Sequence, residues 1–181
     1  MKNIQVLKPK YRVEECLSEI KECLDIGWTG MGYKTIEFED RWKTYTSLNH
    51  AHFLSSATVG LHLAVKILKE KYNWHDGDEV ITTPFTFVST NHSILYENLK
   101  PCFADIDDSL NLDPQSVKDK INKNTKAVIF VGIGGNTKNL IEIIQIAKNN
   151  NIKIILDAAH MAGSKINGQH VGFDVDVSVF S

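Results

Sequence analysis

Proline is scarce in this sequence, four residues in 181, and cysteine scarcer still, with three. No Pro- or Ser-rich tract, internal repeat or low-complexity segment interrupts it, so no domain boundary is expected inside it. Cys16, Cys23 and Cys102 are odd in number and lack the paired spacing of a metal site, so no metal is expected. Cys16 and Cys23 share one face of a predicted helix, and all three read as buried thiols in a reducing cytoplasm. No apolar run reaches the length of a membrane span. Residues 1–10 hold charges but no apolar core of signal-peptide length, which predicts a soluble cytoplasmic protein. A basic stripe is missing too: the formal net charge is -2 and the lysines are dispersed, which argues against nucleic acid as a partner.

What the sequence does have is 43% hydrophobic residues over 181 positions, enough for one well-buried core. Two helical patterns come first, at 13–26 and about 34–47, separated by the glycine-rich stretch Gly27-Trp28-Thr29-Gly30-Met31-Gly32. From there β-rich runs at 51–54, 79–83, 100–105, 127–131, 153–157 and 176–180 alternate with mostly helical segments. Continuous apolar strands such as Ala127-Val128-Ile129-Phe130-Val131 suit a mostly parallel sheet covered on both faces, a three-layer α/β/α fold. Ligands of such folds bind beyond the carboxyl ends of the strands.

The residues just past each strand are therefore the candidates. Ser55-Ser56-Ala57-Thr58 opens a helix, where free N–H groups and hydroxyls suit a phosphate, although a plain Ser/Thr cap explains the same residues. Thr83-Pro84-Phe85-Thr86-Phe87 offers aromatics that stack on a planar ring or join the core. The apolar run ending Leu156-Asp157-Ala158-Ala159-His160 delivers a carboxylate that is costly to bury without a cationic partner or donors. A protonated pyridine nitrogen is one such partner, and capping of the next turn is another explanation. A competing signal, Gly132-Ile133-Gly134-Gly135-Asn136-Thr137, follows a strand like a dinucleotide fingerprint. Its third glycine position falls on Thr137, and its strand is the fourth of the series.

Taken together, from about Gly27 to Ser181, these segments resemble the DegT/StrS-type nucleotide-sugar aminotransferases, fold type I enzymes of pyridoxal 5'-phosphate (PLP). The resemblance rests on Gly27-Trp28, Gly32 and Phe38-Glu39, on Ser56-Ala57-Thr58-Val59-Gly60-Leu61-His62, and on Gly77-Asp78-Glu79-Val80-Ile81. Thr86-Phe87-Val88-Ser89-Thr90, Asp157-Ala158-Ala159-His160 and Val179-Phe180-Ser181 complete it. Ala57 stands where that family usually has glycine, and Gly60 where it has alanine.

The resemblance implies roles. Asp157 pairs with the pyridine nitrogen and His160 contacts the ring hydroxyl; both count as catalytic residues. Phe87 stacks on the ring, while Ser56, Ala57, Thr58 and Ser181 hold the phosphate. Trp28 reaches the substrate by position alone, with packing as the alternative. The resemblance further implies a homodimer acting on a keto sugar carried on a nucleotide, with glutamate as amino donor. In relatives a lysine holding the cofactor covalently lies five residues beyond the serine matched by Ser181. This sequence thus reads as the N-terminal part, 1–181, of the large PLP-binding domain, truncated before that lysine and the C-terminal small domain, and inactive alone. Lys138 and Lys165 read as solvated surface residues. Two alternatives stand beside the aminotransferase: the family's dehydratase branch, with histidine replacing the lysine, and an inactive or split-gene fragment.

Overall fold

The computed structural model describes residues 9–181. Helices α1 (Val13–Ile26) and α2 (Tyr33–Thr46) lead into α3 (Ala57–Lys71). Then follow β1 (Glu79–Thr82), α4 (Val88–Leu95), β2 (Lys100–Phe103), α5 (Pro114–Lys120) and β3 (Thr125–Val131). After α6 (Leu140–Asn149) and β4 (Lys153–Ala158), a two-stranded hairpin of β5 (Lys165–Ile166) and β6 (Gln169–His170) precedes β7 (Val177–Phe180).

Five strands form one sheet in the order β2-β1-β3-β4-β7, every neighbouring pair parallel. Because side chains alternate across a strand, β3 sends Val128 and Phe130 to one face and Ala127 and Ile129 to the other. The first face is covered by α5 and α6, whose Val117, Leu140, Ile143 and Ala147 meet Phe130 and Leu156 in one cluster. The second is covered by α3 and α4 through Leu61, Ala64, Val65, Leu68 and Ile94. Each of the valine, leucine, isoleucine and phenylalanine side chains among them contributes about 1.5–3 kcal/mol. The expected three-layer α/β/α arrangement with a parallel sheet is the one observed. Parallel pairing brings every strand's carboxyl end to the same edge.

Local signals account for the helix boundaries. Asp113 caps α5, its two carboxylate oxygens accepting from the Gln115 and Ser116 N–H groups at 3.3 and 3.1 Å, and Pro114 occupies the first helical position, where its missing N–H costs nothing. Gly27 ends α1 with φ +70°, a conformation glycine adopts without penalty.

Two expectations fail here, and the competing glycine signal is also resolved. Residues 51–54 form no strand. Leu54 and Val179 of β7 flank Gly60 together, yet no described strand pairs with β7 on the side away from β4, so 51–54 has no ladder to join. The thiols are not buried: Cys16 is exposed, and Cys23 and Cys102 are partly exposed. α1 buries no residue among those described, its stripe of Val13, Leu17, Ile20 and Leu24 all being exposed, so Cys16 and Cys23 have nothing to be buried against. Finally, the dinucleotide-like glycines do not open a helix. Ile133–Gly135 is a single 3-10 turn, and α6 begins only at Leu140. Their amides are already spent, Gly135 N donating to Gly132 O and Asn136 N to Ile133 O, so they form no phosphate cradle.

Candidate functional site

Hydrogen bonds join several of the segments singled out in the sequence, Thr58 to Ser89, Thr86 to Thr90 and Thr90 to Asp157. Asp157, the fifth residue of β4, lies beside Val131 of β3 and Val179 of β7. It is buried, with 5% exposure. Its Oδ2 accepts from the Thr90 hydroxyl at 2.6 Å, and its Oδ1 accepts from the Ala159 N–H at 3.3 Å. Thr90 is itself fully buried in the first turn of α4, and its Oγ1 is 2.8 Å from the Thr86 hydroxyl.

One residue earlier on α4, buried Ser89 is hydrogen-bonded through its hydroxyl to the Thr58 hydroxyl at 2.8 Å. That bond links α4 to the amino end of α3. There the Ser56 side chain accepts from Val59 N at 3.3 Å, and Gly60 N donates to Ser56 O at 3.1 Å. The N–H groups of Ala57 and Thr58, in the first turn, have no intrahelical acceptor and carry the positive end of a 15-residue helix. Ala57 takes no left-handed conformation, so the family's usual glycine is not required at this position. At Gly60 the space is tight: a Cβ there would come within 2.7 Å of Val179 Cγ1, so a larger residue would push Val179 aside.

On the other side of Asp157, His160 is exposed and its Nδ1 accepts from Gly134 N at 3.2 Å. With Nδ1 accepting, neutral imidazole carries its hydrogen on Nε2, which is left as a donor. The Gly134 turn is anchored from outside. Asn136 Nδ2 donates to Ser109 O at 2.9 Å, Asn139 Nδ2 to Asp107 Oδ2 at 2.9 Å, and Ser164 Oγ to Gly135 O at 2.8 Å. Asn139 and Ser109 together hold the Asp107 carboxyl well below the usual carboxylate range.

Phe87 precedes α4 and is 77% exposed, its ring free while its carbonyl accepts from Thr90 N at 3.2 Å. Ser181 follows β7, whose Phe180 pairs with Ala158, and so lies at the same edge as Asp157. Trp28 stands apart: its indole donates to Met31 O at 3.0 Å and its ring covers Gly30 within the loop between α1 and α2. Lys138 pairs with Asp107 at 3.4 Å, and Lys165 lies exposed on the hairpin. Thr90 and the Thr58–Ser89 link escaped the sequence reading, since a threonine in a helix carries no signal of a partner 67 residues away.

These residues offer backbone and hydroxyl donors at α3, an exposed aromatic, a buried carboxylate with one lightly used oxygen, and an imidazole N–H. This donor set fits a phosphorylated, ring-nitrogen-containing cofactor: phosphate to the helix end, cationic ring nitrogen to Asp157. Among the described residues, no helix is long and apolar enough to cross a membrane, and no group of three or more His, Cys, Asp and Glu side chains could hold a metal ion.

A sequence profile of the DegT/DnrJ/EryC1/StrS aminotransferase family matches residues 10–181. The uncharacterized protein MJ1066 of Methanocaldococcus jannaschii is 37% identical over 169 residues, covering 93% of this chain and 43% of that protein. GDP-perosamine synthase of Vibrio cholerae is 36% identical over 164 residues, covering 90% and 44% respectively. Among solved structures, the provisionally assigned sugar aminotransferase Spr1654 of Streptococcus pneumoniae, in its PLP form, superposes with a TM-score of 0.90 at 29% identity. That match covers 99% of this chain and 48% of the other. The chain spans less than half the length of these relatives.

Proposed function

The chain belongs to the DegT/DnrJ/EryC1/StrS aminotransferase family, and from that premise we propose that the protein carrying it aminates a keto sugar borne on a nucleotide, with PLP as cofactor and glutamate as amino donor. The observation that carries this reading is Asp157: a carboxylate buried at the carboxyl end of β4, held on one oxygen by Thr90 and lightly engaged on the other.

When bound, the cofactor supplies an electron sink for the bonding pair released as the donor's Cα proton leaves. The residues described here hold and tune it. The Asp157 carboxylate keeps a proton on the ring nitrogen, because an opposite charge in a low-dielectric site favours the cationic form. Phe87 covers one face of the ring, and His160 Nε2 donates to the ring oxygen. The N–H groups of Ala57 and Thr58, the Ser56 and Thr58 hydroxyls and Ser181 anchor the phosphate at the helix end. Trp28, exposed in its loop, is the residue of this chain assigned to the sugar nucleotide.

The reading extends to residues 1–181 as the N-terminal part of the large cofactor domain. The proton-carrying lysine is then supplied from beyond Ser181, and residues 1–181 by themselves are inactive. A homodimer in the cytoplasm belongs to the same proposal. All of these rest on the family resemblance.

The test is to incubate the whole protein that carries residues 1–181 with PLP, 15N-labelled glutamate and a panel of nucleotide-linked keto sugars, then to weigh the products by mass spectrometry. Incorporation of 15N into one sugar is expected. Loss of a sugar hydroxyl without nitrogen incorporation would assign the protein to dehydration instead. Neither product from any sugar would overturn the reading, and glutamate-dependent turnover by residues 1–181 alone would overturn its second part.

A further inference from the structure

A hydroxyl has one hydrogen to give, and Thr90 sits between two oxygens. Its Oγ1 is 2.6 Å from Asp157 Oδ2 and 2.8 Å from Thr86 Oγ1. An ionised carboxylate only accepts, and 2.6 Å falls in the short range of O–H···O⁻ bonds. The Thr90 hydrogen therefore points at Asp157. Thr86 must then donate to Thr90, which fixes the direction of the whole chain: Thr86 O–H to Thr90, Thr90 O–H to Asp157. Such a chain polarises along its length.

The chain of bonds also sorts the two oxygens of Asp157. Oδ2 is committed to a fully buried donor, whereas Oδ1 has only a long contact from Ala159 N at 3.3 Å. Oδ1 is thus the oxygen with capacity to receive another donor. Thr90 also has little freedom to swing away. It is β-branched within a helical turn, which restricts χ1. Its N–H donates to Phe87 O at 3.2 Å, and its carbonyl accepts from Ser93 Oγ at 2.7 Å. One residue therefore joins the carboxylate assigned to the ring nitrogen and the backbone of the aromatic assigned to the ring face.

We infer that Thr90 is a positioning residue for cofactor binding, presenting Asp157 Oδ1 to the ring nitrogen by occupying Oδ2, with Thr86 ordering the Thr90 hydroxyl. This rests on the PLP reading above and adds to it a residue outside the cofactor contacts.

The test uses the whole protein that carries residues 1–181 and pyridoxamine 5'-phosphate, which binds without a covalent link, titrated by fluorescence. Thr90→Val keeps the volume and removes the donor, and is expected to weaken binding about tenfold to a hundredfold, as for a lost hydrogen bond to a charged group. Thr90→Ser restores the donor and is expected to bind within about threefold of wild type; Thr86→Val, which removes only the ordering bond, falls between the two. Melting of the apo variants is measured alongside. A hydroxyl with a merely structural role would lower the apo melting temperature in Thr90→Val and leave the Kd of the folded protein unchanged, and that result would overturn the inference. Should Thr90→Val not fold, Thr90→Cys, with its feeble donor, carries the same comparison against Thr90→Ser. If the wild-type chain itself fails to bind pyridoxamine 5'-phosphate, the PLP reading falls and the inference with it; normal wild-type binding matched by the donor-free variant sinks the inference alone.

Discussion

Gly60 of α3 lies so close to Val179 of β7 that a Cβ on the glycine would stand 2.7 Å from Val179 Cγ1. This contact seats the amino end of α3, with its free N–H groups, one strand away from Asp157, since Val179 and Asp157 are ladder partners. Gly60→Ala sets two effects against each other. Helix propensity favours alanine by about 1 kcal/mol, but overpacking against a buried, β-branched neighbour costs about 1–3 kcal/mol. The expected outcome is a net loss of about 1 kcal/mol in denaturant unfolding of the full chain. In a Val179→Ala background the clash disappears, so the same substitution should become neutral or stabilising. An unchanged penalty in the double variant would show that Val179 is not the cause.

Two phenylalanines at the carboxyl side of the sheet should behave oppositely. Phe130 is fully buried and Phe87 is 77% exposed. Phe130→Ala is expected to cost about 3–5 kcal/mol, enough to threaten folding. Phe87→Ala should stay within about 0.5 kcal/mol of wild type yet weaken pyridoxamine 5'-phosphate binding about twofold to tenfold, the scale of one aromatic contact. Equal binding by Phe87→Ala and wild type would remove Phe87 from the ring face.

The contrast shows what a sequence can and cannot announce. The apolar runs of β3 and β4 reveal a sheet covered on both faces, because period and composition are local properties. Asp157 stands out since a carboxylate at the end of such a run needs an explanation. Thr90 does not stand out. Its role exists only once β4 and α4 meet, and a threonine in a first helical turn is unremarkable by itself. Residues 51–54 and Cys16 mislead for the converse reason: their local pattern is sound, but a strand needs a partner and a buried face needs a cover.

Acid should loosen the turn that holds His160. Asn139 first, then Ser109, stabilise the ionised Asp107 carboxyl, with a further contribution from Lys138. A depressed folded pKa contributes stability that is present above the ordinary value of 3.8 and lost as pH falls through the depressed one. Wild type and Asp107→Asn are therefore expected to differ in unfolding free energy by a constant amount down to about pH 4, and to draw together as pH falls further toward the depressed value. A difference that stays constant from neutral pH into that acid range would show that the carboxylate charge is not what binds this turn.

Asp157→Asn separates the demands of folding from those of the site. Burying an amide costs less than burying a charge, so the apo protein is expected to melt at or slightly above the wild-type temperature. Binding is another matter. If the amide oxygen faces Thr90, the NH2 group points at the ring nitrogen, and a donor there meets a protonated nitrogen that is also a donor. If the amide is reversed, the oxygen serves the ring and its NH2 donates to Thr90, whose hydroxyl must then turn to donate to Thr86 at 2.8 Å. That orientation reverses the Thr86–Thr90 bond and leaves no negative charge beside the ring nitrogen, whereas the carboxylate accepts on both oxygens and supplies the charge. The expected result is a Kd for pyridoxamine 5'-phosphate raised about tenfold to a hundredfold with an intact fold by circular dichroism. Turnover should fall further, by a factor on the order of 100 or more, since the charge that retains the ring proton is gone. Wild-type affinity and turnover in this variant would remove Asp157 from the ring nitrogen and leave its burial to be explained by Thr90 alone.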